Sequence, residues 1–75
     1  MADAAALDVR DMLCAQALAQ VDAALHRLAP GSALVVTANA GDVVRDLAAW
    51  GHDRGHTVLA TPRGGETDVM IRKGR

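Results

Sequence analysis

The spacing of apolar positions changes along this chain, and each change marks an element. Leu7 and Val9 flank Asp8 at two-residue spacing, the period of a strand, and predict strand 1 over residues 6–10. Residues 1–5 read as a frayed end. From 15 to 29 nothing breaks a helix, and Leu18, Val21, Leu25 and Leu28 recur at steps of three and four. That stripe faces a core, with Gln16, Gln20, Asp22 and Arg27 mostly off it. Pro30-Gly31 closes the helix. The run Ala33-Leu34-Val35-Val36 within 32–38 is almost unbroken, as in a buried central strand.

Asn39-Ala40-Gly41-Asp42 reads as a turn with Asp42 as N-cap of a second helix over 43–53. Val43, Val44, Leu47 and Ala48 point that helix inward. Gly51 weakens its end and Gly55 stops it. A third strand covers 56–61, Pro62-Arg63-Gly64-Gly65 turns, and a fourth strand covers 66–73. In the last, Thr67, Val69 and Ile71 share one face, and Asp68, Met70 and Arg72 the other. That alternation suits a sheet covered on one side.

The order β-α-β-α-β-β over one domain, residues 1–75, favours parallel neighbours joined by right-handed crossovers. If both crossovers step the same way, both helices land on one face. The expected fold is a two-layer α/β (α+β) sandwich.

Composition narrows the function. Sixteen residues are alanine, Phe and Tyr are missing and Trp50 is the only aromatic, so Leu, Val, Ile and Met must close a thin core. A formal charge of −1 with both signs spread along the chain argues against nucleic acid as a direct partner. No apolar run approaches the ~20 residues of a membrane helix. The N-terminus lacks a basic region and does not read as a signal peptide. One cysteine cannot close an internal disulfide, which fits a reducing cytoplasm.

That cysteine, Cys14, falls where the first helix begins. Free helical N–H groups and the positive dipole end face a group there and commonly lower a thiol's pKa. The expectation is a reactive thiolate. A lone cysteine is otherwise most often a small apolar filler. His52 and His56 stand four apart, but Gly55 interrupts the helix a metal pair would need, so no metal or cofactor is expected. His26 reads as a solvated helix residue and Trp50 as a half-buried lid.

Several residues together resemble the small sulfur carriers of the TusA or SirA-like family. They are Leu7-Asp8 in strand 1, Cys14 four residues after Arg10, and Leu28-Ala29-Pro30-Gly31 after helix 1. Asp46-Leu47 in helix 2, Gly55-His56 before strand 3 and Ile71-Arg72-Lys73 closing strand 4 complete the set. The resemblance implies a four-stranded mixed sheet of order 1-2-4-3 with strand 4 antiparallel. It also implies a cysteine that carries sulfur as a persulfide, loaded by a cysteine desulfurase or a rhodanese-type donor and relayed to a downstream protein. Such a chain is a carrier component rather than a stand-alone enzyme.

The family motif Cys-Pro-x-Pro is here Cys14-Ala15-Gln16-Ala17. Losing each proline costs about 0.4–1 kcal/mol through unfolded-chain entropy, and alanine's helix propensity recovers part of it. Asp11 stands where the family has glycine, and Asp tolerates left-handed backbone. Its carboxylate, three residues from Cys14, is expected to raise the thiol pKa, with Arg10 as a possible offset. Gln16, Asp46 and Arg72 are the candidate partner-binding residues; Arg72 and Lys73 otherwise read as a solvated strand end, with a small basic patch near the thiol as the alternative. The alternative reading is a non-catalytic interaction module of the same fold. A monomer, or a weak homodimer across the open sheet face, fits either.

Overall fold

The computed structural model describes residues 4–74. Its elements are β1 (Ala4–Asp8), α1 (Cys14–His26), β2 (Ala33–Ala38), α2 (Gly41–Asp53), β3 (Thr57–Arg63) and β4 (Glu66–Arg72). They form one four-stranded sheet in the order β1-β2-β4-β3. β1 pairs with β2 in parallel, and β4 pairs antiparallel with both β2 and β3. This is the order and direction expected from the resemblance.

Alternation along each strand separates the two faces. Leu34, Val36 and Ala38 of β2 and Val69 and Ile71 of β4 are buried with Ala17, Val21 and Leu25 of α1 and Val43 and Leu47 of α2. Both helices therefore cover the same face. Across the other face the register lines up Ala6, Val35, Met70 and Leu59 in one apolar row. Leu59 is 57% exposed there.

Several boundaries differ from the pattern. Strand 1 begins earlier, taking in Ala4 and Ala5, because β2 pairs with them directly; residues 1–3 of the expected frayed end lie outside the described residues. Helix α1 stops at His26, well before Pro30. There the Lys73 ammonium donates to the carbonyls of Leu25 at 2.7 Å and Leu28 at 2.6 Å, so the orphan acceptors are filled from another part of the chain. Helix α2 begins at Gly41 with Ala40 as its N-cap, so Asp42 is a first-turn residue and not the cap. Gly55 ends α2 as expected, at φ +82°. β3 runs on through Pro62, which an edge strand accommodates, and the turn shrinks to Gly64-Gly65. Gly64, at φ +64°, supplies the left-handed backbone such a two-residue hairpin turn needs.

Helix α2 continues past Gly51 to Asp53, and the glycine has a packing reason. It brings the helix close to the sheet: a Cβ there would lie 2.6 Å from Val58 Cγ2. Gly51→Ala is expected to lose about 1–2 kcal/mol, overpacking outweighing helix propensity. Chemical denaturation checks this, and Val58→Ala in the same chain should recover the loss.

Candidate functional site

Two parallel strands feeding two helices on one face bring both helix N-termini to the same end of the sheet. Cys14 is the first residue of α1, and Asp42 lies in the first turn of α2. The Cys14 thiol is partly exposed and points to Asp42, with Sγ 3.8 Å from Oδ2. Asp46, one turn further along the same side of α2, adds a second carboxylate that acts on the thiol.

The consequence reverses the expectation from helix position. Asp46 acts most strongly, by hydrogen bonding to the thiol, followed by partial burial, the Asp46 charge and Asp42; together they push Cys14 up to about 11. A carboxylate beside a thiol opposes a second negative charge, and here two of them outweigh the helix dipole. Alkylation of Cys14 needs the thiolate, so its rate is expected to climb with pH toward a midpoint near 11. A rate–pH profile with iodoacetamide checks this; a midpoint near the ordinary ~8.5 would refute it. Linkage has a definite sign. The folded thiol holds its proton more tightly than the unfolded one, so stability is full below the unfolded pKa and falls as pH rises toward about 11.

Asp11, the acid the sequence singled out, is occupied elsewhere. It adopts φ +63°, the left-handed turn expected of it. Its Oδ1 accepts from Asn39 Nδ2 at 2.9 Å and its N–H donates to Asn39 Oδ1 at 3.0 Å. Arg10 offers the thiol no offset. Its guanidinium bonds Asp8 through Nε at 2.9 Å and Nη2 at 2.8 Å, and Glu66 through Nη1 at 2.7 Å. That pairing holds the Asp8 carboxyl down at about 2 and ties Arg10 across the sheet.

Of the three candidate partner residues, two sit near the sulfur. Gln16 stands in the same turn, where its Oε1 accepts the Leu13 N–H at 3.1 Å, half of a capping box. Asp46 adjoins the thiol itself. Arg72 does not join them. β4 runs antiparallel to β2 and pairs Arg72 with Ala33, at the far end of the sheet, where Nη1 donates to the Gly31 carbonyl at 2.7 Å. The alternative of a basic patch of Arg72 and Lys73 beside the thiol is therefore not formed.

The histidines also serve locally. His56 Nδ1 accepts the Gly74 N–H at 3.0 Å, and His26 Nδ1 lies 2.8 Å from the Asp22 carbonyl oxygen. Trp50 is half-buried, with the Arg54 guanidinium 5.4 Å from its ring centroid. Sequence reasoning missed Leu13, which is 74% exposed immediately before Cys14. It also missed Asp42 as the thiol's neighbour. The usable signal was the four-residue spacing of Asp42 and Asp46, which puts both on one side of α2.

Comparison with known proteins bears on the family and the fold. The family model described as sulfurtransferase TusA matches residues 5–73. No curated protein matches the chain. The crystal structure of a SirA-like protein from Desulfitobacterium hafniense superposes with a TM-score of 0.83 at 16% identity, covering 95% of this chain and 99% of that one. At that identity the likeness is one of fold.

Proposed function

The chain belongs to the TusA sulfurtransferase family, and from that premise we propose that Cys14 accepts a sulfane sulfur and hands it to a second protein. The observation that carries the reading is the partly exposed sulfur of the chain's only cysteine, standing as the first residue of α1. In the loading step the Cys14 thiolate attacks the outer sulfur of a donor persulfide. The new S–S bond forms on Cys14, the donor's S–S bond breaks, and the donor cysteine leaves as a thiolate. The proton from Cys14 passes to that thiolate or to water, and no net oxidation occurs. Delivery repeats the exchange with Cys14 as leaving group. The donor is a cysteine desulfurase or a rhodanese-type protein, the acceptor a downstream relay protein, and the setting a reducing compartment such as the cytoplasm.

Mass spectrometry after incubation with a cysteine desulfurase and cysteine tests this. One added sulfur on Cys14 is the expected result, and its absence would overturn the reading.

A second reading has its own support. The thiol lies at about 11 rather than near neutrality, and an exposed leucine stands beside it. Both suit a docking surface that recruits a partner without carrying sulfur.

A further inference from the structure

We propose that Cys14 is at rest in the free protein and is activated on docking, when the partner sets a basic side chain against Asp42 and Asp46 and receives Leu13 in an apolar socket. The inference rests on the carrier reading above and specifies how that site is regulated and what surface it recognises.

Three observations converge. First, Asp42 and Asp46 carry like charges four residues apart on the exposed side of α2, an arrangement that is repulsive within the helix. A first-turn position accounts for Asp42, but Asp46 lies beyond the reach of the helix's positive end. Second, neither takes part in an ion pair among the described residues, whereas Asp8, Glu66 and Asp68 pair with arginines; Asp11 and Asp53 also have no such pair, but neither is among the groups that act on the thiol. Third, Leu13 occupies the N-cap of α1, where Ser, Asp or Asn would serve the helix, and leaves its side chain 74% exposed. A leucine whose side chain neither caps nor packs, next in sequence to a thiol faced by carboxylates that have no cation partner, presents an apolar point rimmed by negative charge. Its complement is an apolar pocket rimmed by Arg or Lys, and Arg is favoured because its planar fork can engage carboxylates bidentately.

The charged groups whose field reaches the sulfur both come from α2, Asp46 and Asp42. Of the neighbouring turn's charges, Asp11 is tied to Asn39 and Arg10 to Asp8 and Glu66. A cation on the two aspartates removes the opposition to a thiolate at the moment the donor's persulfide arrives. Until then the protonated thiol resists stray alkylators and oxidants.

The test uses the full chain as wild type, as the double variant Asp42→Asn/Asp46→Asn, and as Asp46→Arg, with circular dichroism confirming the fold. Free protein is alkylated with iodoacetamide at neutral pH. Sulfur loading is then followed from glutathione persulfide and, separately, from a cysteine desulfurase with cysteine. The double variant is expected to alkylate at least about tenfold faster and to load faster from glutathione persulfide. From the desulfurase it should load several-fold more slowly, having lost its docking charge, and added salt should slow wild type toward it. Asp46→Arg, which supplies the cation internally, should alkylate fastest. Unchanged alkylation in the variants, or desulfurase loading that rises in step with glutathione persulfide loading, overturns the gate while leaving the carrier reading intact. A wild type that takes sulfur from neither source overturns the carrier reading and the gate together.

Discussion

Leu47→Ala is expected to remove about 2–5 kcal/mol of stability. The side chain is completely buried, at 0% exposure, between α2 and the sheet. Its loss removes apolar transfer energy and leaves a cavity that the sheet cannot easily collapse to fill. At roughly 0.05–0.15 kcal/mol per residue, a domain of this size holds about 4–11 kcal/mol in all. Phe and Tyr are missing from the chain, and Trp50, its one large ring, already packs against the core from a half-buried position. A loss of that size takes a large share of the total, and at the low end of the range it leaves a substantial unfolded population at room temperature. Urea denaturation measures it: the midpoint should fall sharply with the slope unchanged. A midpoint loss equivalent to less than about 1 kcal/mol would show that the core is not centred where Leu47 sits.

Cys14→Ser should leave the fold unchanged and reduce sulfur loading to nothing. Serine is nearly isosteric, and the position is partly exposed, so water or Asp42 can satisfy the hydroxyl. Stability should move by no more than about 0.5 kcal/mol, as for most surface substitutions. A hydroxyl cannot enter thiol exchange, so no S–S bond forms. The same variant separates the two functional readings. If Cys14 carries sulfur, cells relying on the variant lose the sulfur-dependent phenotype even though partner capture persists. If the chain is a recruitment module, the variant supports growth as well as wild type does, and the carrier reading falls.

Much of this architecture was legible because it depends on short-range periodicity. Leu18, Val21 and Leu25 marked the inner side of α1, and Val69 and Ile71 the inner side of β4; these are set by the geometry of a helix and a strand and need no partner to be recognised. Asp11 could be read as tolerating a left-handed turn, and Gly55 as the end of α2, for the same local reason. The strand order came from the resemblance, carried by motifs whose spacing survives even where both motif prolines are alanine. Helix ends were less legible. The stop of α1 depends on Lys73, which follows the last strand, and the start of α2 on a backbone cap at Ala40.

By itself, then, the sequence determined the element types, the one thiol at a helix start and the two-layer arrangement, because each follows from the order and spacing of neighbours in the chain. Only the tertiary structure decided that this thiol faces Asp42 and Asp46, across 28 residues in the closer case, and that Arg72 lies at the opposite end of the sheet. The reason is electrostatic: a side chain's pKa responds to whatever charge lies within a few ångströms, and strand direction and helix packing choose those neighbours.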